Sequence, residues 1–153
     1  MSQAYNAYTE EDFTTYEDKF EQELFDNNLE DYLSYLNENE QAELKKLLKV
    51  ETFRFEFLTF TRLTAIMMYL SVIKFAAENN SIEDTFQKTY VRITQAWSEL
   101  NPLTQKMIHF YLLHDDVEES ITREMTDSHD IKADVVHARL EGLREGLVEK
   151  INL

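Results

Sequence analysis

The chain has no cysteine, one proline and two glycines among its 153 residues. Without cysteine there can be no disulfide, no thiol nucleophile and no thiolate-bound metal. That absence also suits a reducing compartment, so the expected location is the cytoplasm. Sheet proteins need Gly, Pro and Asn-Gly turns at short intervals, so the scarcity of both residues favours helices joined by short polar links. The first residues, MSQAYNAYTEED, lack a basic region followed by an apolar run, and no secretory signal is expected. The longest charge-free piece of the apolar centre, Leu63 to Ile73, is eleven residues long. A bilayer span needs about 20, so no membrane partner is expected.

Catalytic signatures are also missing. There is no phosphate-cradling glycine loop, no G-x-S-x-G, no G-x-G-x-x-G, no H-E-x-x-H and no calcium loop. Paired carboxylates are abundant, but in so acidic a chain their adjacency carries little information. The expectation is a non-enzymatic protein without a cofactor.

Acid is what the chain has in excess. The net charge is −15, and it is unevenly spread. Residues 1–50 carry 13 acids and 4 bases, a net of −9. Residues 51–96 carry 5 and 5, a net of zero. Residues 97–153 carry 12 and 6, a net of −6. Such flanks repel nucleic acid and anionic membranes and attract basic partners. They also keep a protein soluble, which is the plainer reading of the same numbers.

Apolar residues make up 43% of the chain, enough for a globular core. The most apolar stretch is Thr52 to Asn79, and any folded state must bury it. Residues 53–60, FRFEFLTF, partly alternate as a half-buried strand would. They also fit a helix, with Phe53, Phe57 and Phe60 at i, i+4 and i+7. No second strand is in view to pair with them, and a lone strand leaves backbone groups unsatisfied. The stretch is therefore read as one helix of about 40 Å, apolar nearly all round from Leu63.

The remaining elements follow from caps and periodicity. Residues 1–8 read as a loose tail, and residues 9–153 as a single helical domain. Thr9 followed by Glu10, Glu11 and Asp12 starts a helix that runs to about Asp26. It carries Phe13, Tyr16, Phe20 and Leu24 on one face. Asp26-Asn27-Asn28 interrupts it, and a shorter helix carries Leu29, Tyr32, Leu33 and Leu36. Asn37 with Glu40 resembles a capping box, as does Ser81 with Asp84. The helix after Ser81 places Ile82, Phe86, Ile93, Trp97 and Leu100 on one stripe. Asn101-Pro102 marks the clearest boundary. His114-Asp115-Asp116 reads as a turn, and a short helix covers Val117 to Met125. The last helix starts near Ser128 to Asp130, with Val136, Leu140, Leu143 and Leu147 on its buried face. The fold class is thus all-α: a single-domain bundle of seven to eight helices around a buried central helix at about 52–79.

Three constellations bear on function. Glu10, Glu17 and Glu21 form a row on the first helix, and Asp115, Asp116, Glu118 and Glu119 form a second acidic cluster. Carboxylates at i and i+4 lie about 5–6 Å apart, close to the spacing of phosphates along a strand. Both groups are candidate partner-binding residues; Glu17 and Glu21, with Glu10 in the same row, are the ones spaced to imitate a nucleic-acid backbone, while the second cluster also reads as a solvated turn. Ala138, Gly142 and Gly146 repeat every four residues along the last helix. This small-residue strip suits close approach of an internal helix or of a second copy in a homodimer. Asp130, Asp134 and His137, at i, i+4 and i+7, are of metal-ligand type. At a helix start, however, acids serve as caps and dipole partners, and no metal is expected there.

Residues 97–150 carry Leu100, Pro102 and Ile108, then Ser120-Ile121-Thr122, then Ile131, Val136, Arg139 and Leu140. This pattern resembles the helix-turn-helix region 4 of sigma factors and of related phage late-gene regulators. The resemblance implies a three-helix module acting on DNA or RNA polymerase. Two departures stand out. The turn between the last two helices is several residues longer than in that family. The helix in the recognition position carries Asp130, Asp134 and Glu141 against Lys132, Arg139 and Arg144, where a DNA reader has a basic face.

The reading that best joins these features is an acidic protein–protein interaction factor, an inhibitor or antagonist of phage anti-defence or immunity type. Its partner would be a protein with a basic surface, such as a nucleic-acid-handling enzyme, rather than nucleic acid itself. A transcription regulator working through residues 100–150 is the alternative. An oligomeric scaffold subunit assembled through the glycine strip is a second one.

Overall fold

One long helix, Glu51–Ile73, runs through the middle of the molecule. The computed structural model describes residues 31–73 and 80–151, with the side chains of residues 80 and 81 left aside. Among the described residues every element is helical. We label them α1 (Glu38–Leu47), α2 (Glu51–Ile73), α3 (Asn80–Ala96), α4 (Pro102–Leu113), α5 (Asp115–His129) and α6 (Ala133–Ile151). Residues 31–35 are helical as well. The first helix expected from the sequence, with Glu10, Glu17 and Glu21, lies outside the described residues.

The FRFEFLTF segment is helix, as the missing partner strand requires. Phe53, Phe57 and Phe60 are all buried on one side of α2. From Leu63 to Ile73 every residue is buried. Three hydroxyls in this helix bond back along it: Thr61 donates to the Phe57 carbonyl, Thr64 to Phe60 and Ser71 to Met68, each at 2.7 Å. An unsatisfied buried hydroxyl is costly, so these bonds are what let polar residues sit in the core. By length and composition α2 could cross a membrane, but 78% of its apolar window is buried inside the protein. Its covering is α3, α4 and α6, which all pack against it.

α5 is clad differently and packs chiefly on α4 and α6. Its Val117, Ile121 and Met125 are buried at i, i+4 and i+8. Tyr32 anchors the helical turn at residues 31–35. Its ring lies 5.5 Å from that of Phe110 and 6.0 Å from that of Phe57, and its hydroxyl donates to the Leu103 carbonyl.

The caps explain the boundaries. The Asn37–Glu40 box closes α1 reciprocally, at 2.8 and 2.9 Å. Asn101 accepts from the Leu103 N–H, with Pro102 in the first turn of α4. Glu56 of α2 supports this corner by accepting from the Asn101 N–H and from the Thr104 hydroxyl. That places a carboxylate at the positive end of the α4 dipole.

Five boundaries differ from the sequence reading. α3 is described from Asn80, and Ser81 lies within the helix rather than at its cap. The same helix stops at Ala96, and Trp97–Glu99 tighten into a 3-10 turn. Leu100 is buried in the link to Pro102, which cannot continue a helix. His114 alone separates α4 from α5. Its extended backbone breaks the helix, and its ring nitrogen accepts from the Asp116 N–H as an N-cap. Asp115 and Asp116 are therefore the first turn of α5 instead of part of a turn. At its other end α5 continues to His129, because Met125 extends the buried stripe. Asp130 then adopts the left-handed conformation, with φ of 54°. Ile131 buries its side chain and donates to the Met125 carbonyl, and α6 starts only at Ala133.

Candidate functional site

The helices α4, α5 and α6 contact one another in all three pairings, which gives α5 a fixed platform. Its buried stripe leaves the opposite face to solvent. Asp115, Asp116, Glu119 and Asp127 are exposed on α5, which holds six acids and one Lys or Arg. That base, Arg123, pairs with Glu119 at 3.3 Å, one turn away. Successive carboxylates facing water from a helix of fixed position form a firm acidic ridge.

Glu118 does not belong to that ridge. It turns inward and accepts from Arg144 Nη2 at 2.7 Å and pairs with His137 Nδ1 at 2.9 Å. Only 14% of the Arg144 side chain and 22% of the Glu118 side chain reach solvent. Burial acts to raise the Glu118 pKa, but the hydrogen bonds from His137 and Arg144 outweigh it and hold the carboxyl below its ordinary range. The hydrogen bond and charge of Glu118 in turn raise His137. Arg144 also donates from Nε to the Leu112 carbonyl, one of the orphan acceptors at the end of α4. One guanidinium thus binds all three helices of the platform together.

Of the acids expected to meet a partner, the structure exposes Asp115, Asp116 and Glu119 together and withdraws Glu118. The metal-type set is spread apart in role. Asp130 forms the left-handed link, Asp134 accepts from the Val135 N–H, and His137 lies between Glu118 and Glu141. Among the described residues no group of three or more His, Asp or Glu could hold a metal ion.

The strip Ala138, Gly142 and Gly146 lines an open groove of about 420 Å³ between α3 and α6, floored by Ser71 of α2. Its two glycines do different things. A Cβ on Gly146 would meet the Tyr90 hydroxyl of α3 at 3.4 Å, an ordinary van der Waals contact. A Cβ on Gly142 would meet nothing within 4 Å. Gly146 thus faces α3 at contact distance, and Gly142 faces open space.

A second groove, of about 280 Å³, lies on the outer side of α2 and includes Arg54, Phe55, Leu58 and Arg62. Neither this groove nor the Arg144 cluster was foreseen from the sequence. The cluster joins residues 19 and 26 positions apart. Its one local sign is that Arg144 directly follows the core residue Leu143. Comparison with protein-family models, curated proteins and solved structures finds no match to this chain.

Proposed function

We propose that this protein is a non-enzymatic, cytoplasmic interaction factor that antagonises a nucleic-acid-handling protein by occupying its basic groove. The observation that carries this reading is the outward ridge of α5, Asp115, Asp116 and Glu119, continued by Asp127. Its register is held by the Glu118–Arg144 pair behind it. Opposite charges arranged this way speed encounter and select partners more than they add affinity, so binding should weaken steeply with salt.

A second reading has one observation in its favour. α5 and α6 are joined by three residues, 130–132, a length typical of helix-turn-helix motifs. The over-long turn read from the sequence shortens because α5 continues to His129. The outer side of α6 carries Asp134, Glu141 and Glu145, however, and a DNA reader needs bases there. On this reading the module works against a protein such as RNA polymerase.

The test is capture on the immobilised full chain from the source cell, at low and high salt, with a gel-shift assay alongside. Salt-sensitive retention of a nucleic-acid-binding protein, with no shift of DNA, is expected. Sequence-specific DNA binding at physiological salt would overturn the proposal, and recovery of this chain alone would point to the scaffold alternative.

A further inference from the structure

A single residue, His114, both ends α4 and starts α5. Its N–H donates to the Phe110 carbonyl at 2.9 Å, and its own carbonyl accepts from the N–H groups of Val117 and Glu118 at 3.1 and 3.2 Å. The backbone is pinned on both sides, and the ring is the adjustable part. Helix starts usually have Ser, Thr, Asp or Asn at this place, whose oxygens accept a hydrogen bond throughout the neutral range. An imidazole accepts only while it is neutral, because protonation fills both ring nitrogens.

The ring nitrogen Nδ1 has two partners within reach, and both belong to Asp116. The Asp116 N–H donates to it at 3.2 Å, so the neutral ring carries its proton on Nε2. The Asp116 carboxylate lies 3.9 Å from the same nitrogen, beyond a hydrogen bond but within a short swing of the ring. A proton added at Nδ1 opposes the N–H and attracts the carboxylate. The positive end of the α5 dipole pushes the imidazolium the same way. Phe110 of α4 supports the ring at 4.6 Å between centroids, and an aromatic face accepts a cation as well as a neutral ring. The charged groups of this corner are Asp115 and Asp116 on α5, and Arg144 of α6, which is bound to the Leu112 carbonyl and balanced by Glu118. His137 lies on the other oxygen of Glu118. Solvent reaches 32% of the His114 side chain and 53% of the Asp116 side chain, so protons have access.

We propose that His114 is a proton-operated switch at the head of the acidic ridge. Neutral, it caps α5 through the Asp116 N–H. Protonated, it releases that N–H and pairs with the Asp116 carboxylate, which cancels one charge of the ridge and loosens the turn holding Asp115 and Asp116. The switch is a property of the free chain and does not depend on what α5 binds.

Backbone-amide and histidine-ring NMR of the full chain tests it, from about pH 8 to about pH 5, either side of the ordinary histidine range. The Asp116 amide proton should move upfield with the same midpoint as the His114 ring. In His114→Asn, whose side chain caps without titrating, that amide should hold one position throughout. In His137→Gln it should still move as in the wild type. An Asp116 amide that stays still while the His114 ring titrates would overturn the switch. So would the same movement in folded His114→Asn, or its loss in His137→Gln. Failure of capture through α5 leaves this titration untouched, so the two readings fail separately.

Discussion

Arg144 of α6 holds Glu118 of α5 at 2.7 Å, with both side chains largely withdrawn from water. The same guanidinium satisfies the Leu112 carbonyl at the end of α4. Removing it leaves a part-buried carboxylate and a helix-end acceptor without their donor. Arg144→Met should therefore cost about 2 kcal/mol in urea denaturation, the range for bonds to charged groups. Arg144→Lys should recover only part of this, since an ammonium cannot copy the planar fork. A cost near zero for Arg144→Met would show that the three helices hold register without it.

His137 gives the same cluster a pH dependence. Its pKa is raised by Glu118, so its contribution is complete below the unfolded value and is lost as pH rises through the folded one. Glu118 is lowered, so its contribution is present above the unfolded carboxylate value and is lost as pH falls through the folded one. Stability should thus decline on both sides of an acidic-to-neutral optimum. His137→Gln should flatten the alkaline side and lessen the acid-side loss, because His137 is one of the groups that lower Glu118. Urea midpoints at about pH 5.5 and about pH 8.5, either side of the ordinary histidine range, read this directly.

The core and the ridge should respond in opposite ways to charge. Phe57 is 2% exposed and packs against Tyr32 and Phe53. Phe57→Asp loses that packing and buries an unpaired charge, a cost above about 4 kcal/mol and comparable to the whole stability of many domains. Its circular dichroism should report unfolding. Glu119→Lys, on the exposed side of α5, should leave the spectrum unchanged.

Gly142 and Gly146 separate the two roles of the small-residue strip. Alanine at Gly142 enters open space and should stabilise the chain by up to about 1 kcal/mol through helix propensity. Alanine at Gly146 meets Tyr90 and should gain less. Thermal melts compare the two. A drop in molar mass for Gly142→Ala, measured by light scattering, would instead mark this face as a contact between copies.

Much of the fold was legible because local and long-range signals agreed. Phe53, Phe57 and Phe60 set the helical period, the Asn37–Glu40 box closed α1, and Asn101-Pro102 marked the start of α4. The errors arose where chemistry common at one kind of boundary served another. Ser128 and Asp130 look like helix caps, but Asp130 ends a helix in a conformation usually left to glycine or asparagine. His114 caps a helix through its ring, which no propensity rule anticipates. Glu118 could not be told from Glu119 by composition, because its burial depends on Arg144, far along the chain. The ridge was visible as acidity, and its shape became visible only in three dimensions.

The account stands or falls on whether the α5 ridge is the binding face. The decisive measurement is side-by-side capture, at low and high salt, with the wild-type chain and with Asp115→Lys/Asp116→Lys/Glu119→Lys. The variant should remain folded and lose the nucleic-acid-handling partner that the wild type retains at low salt. Equal retention of that partner by the folded variant would contradict the account.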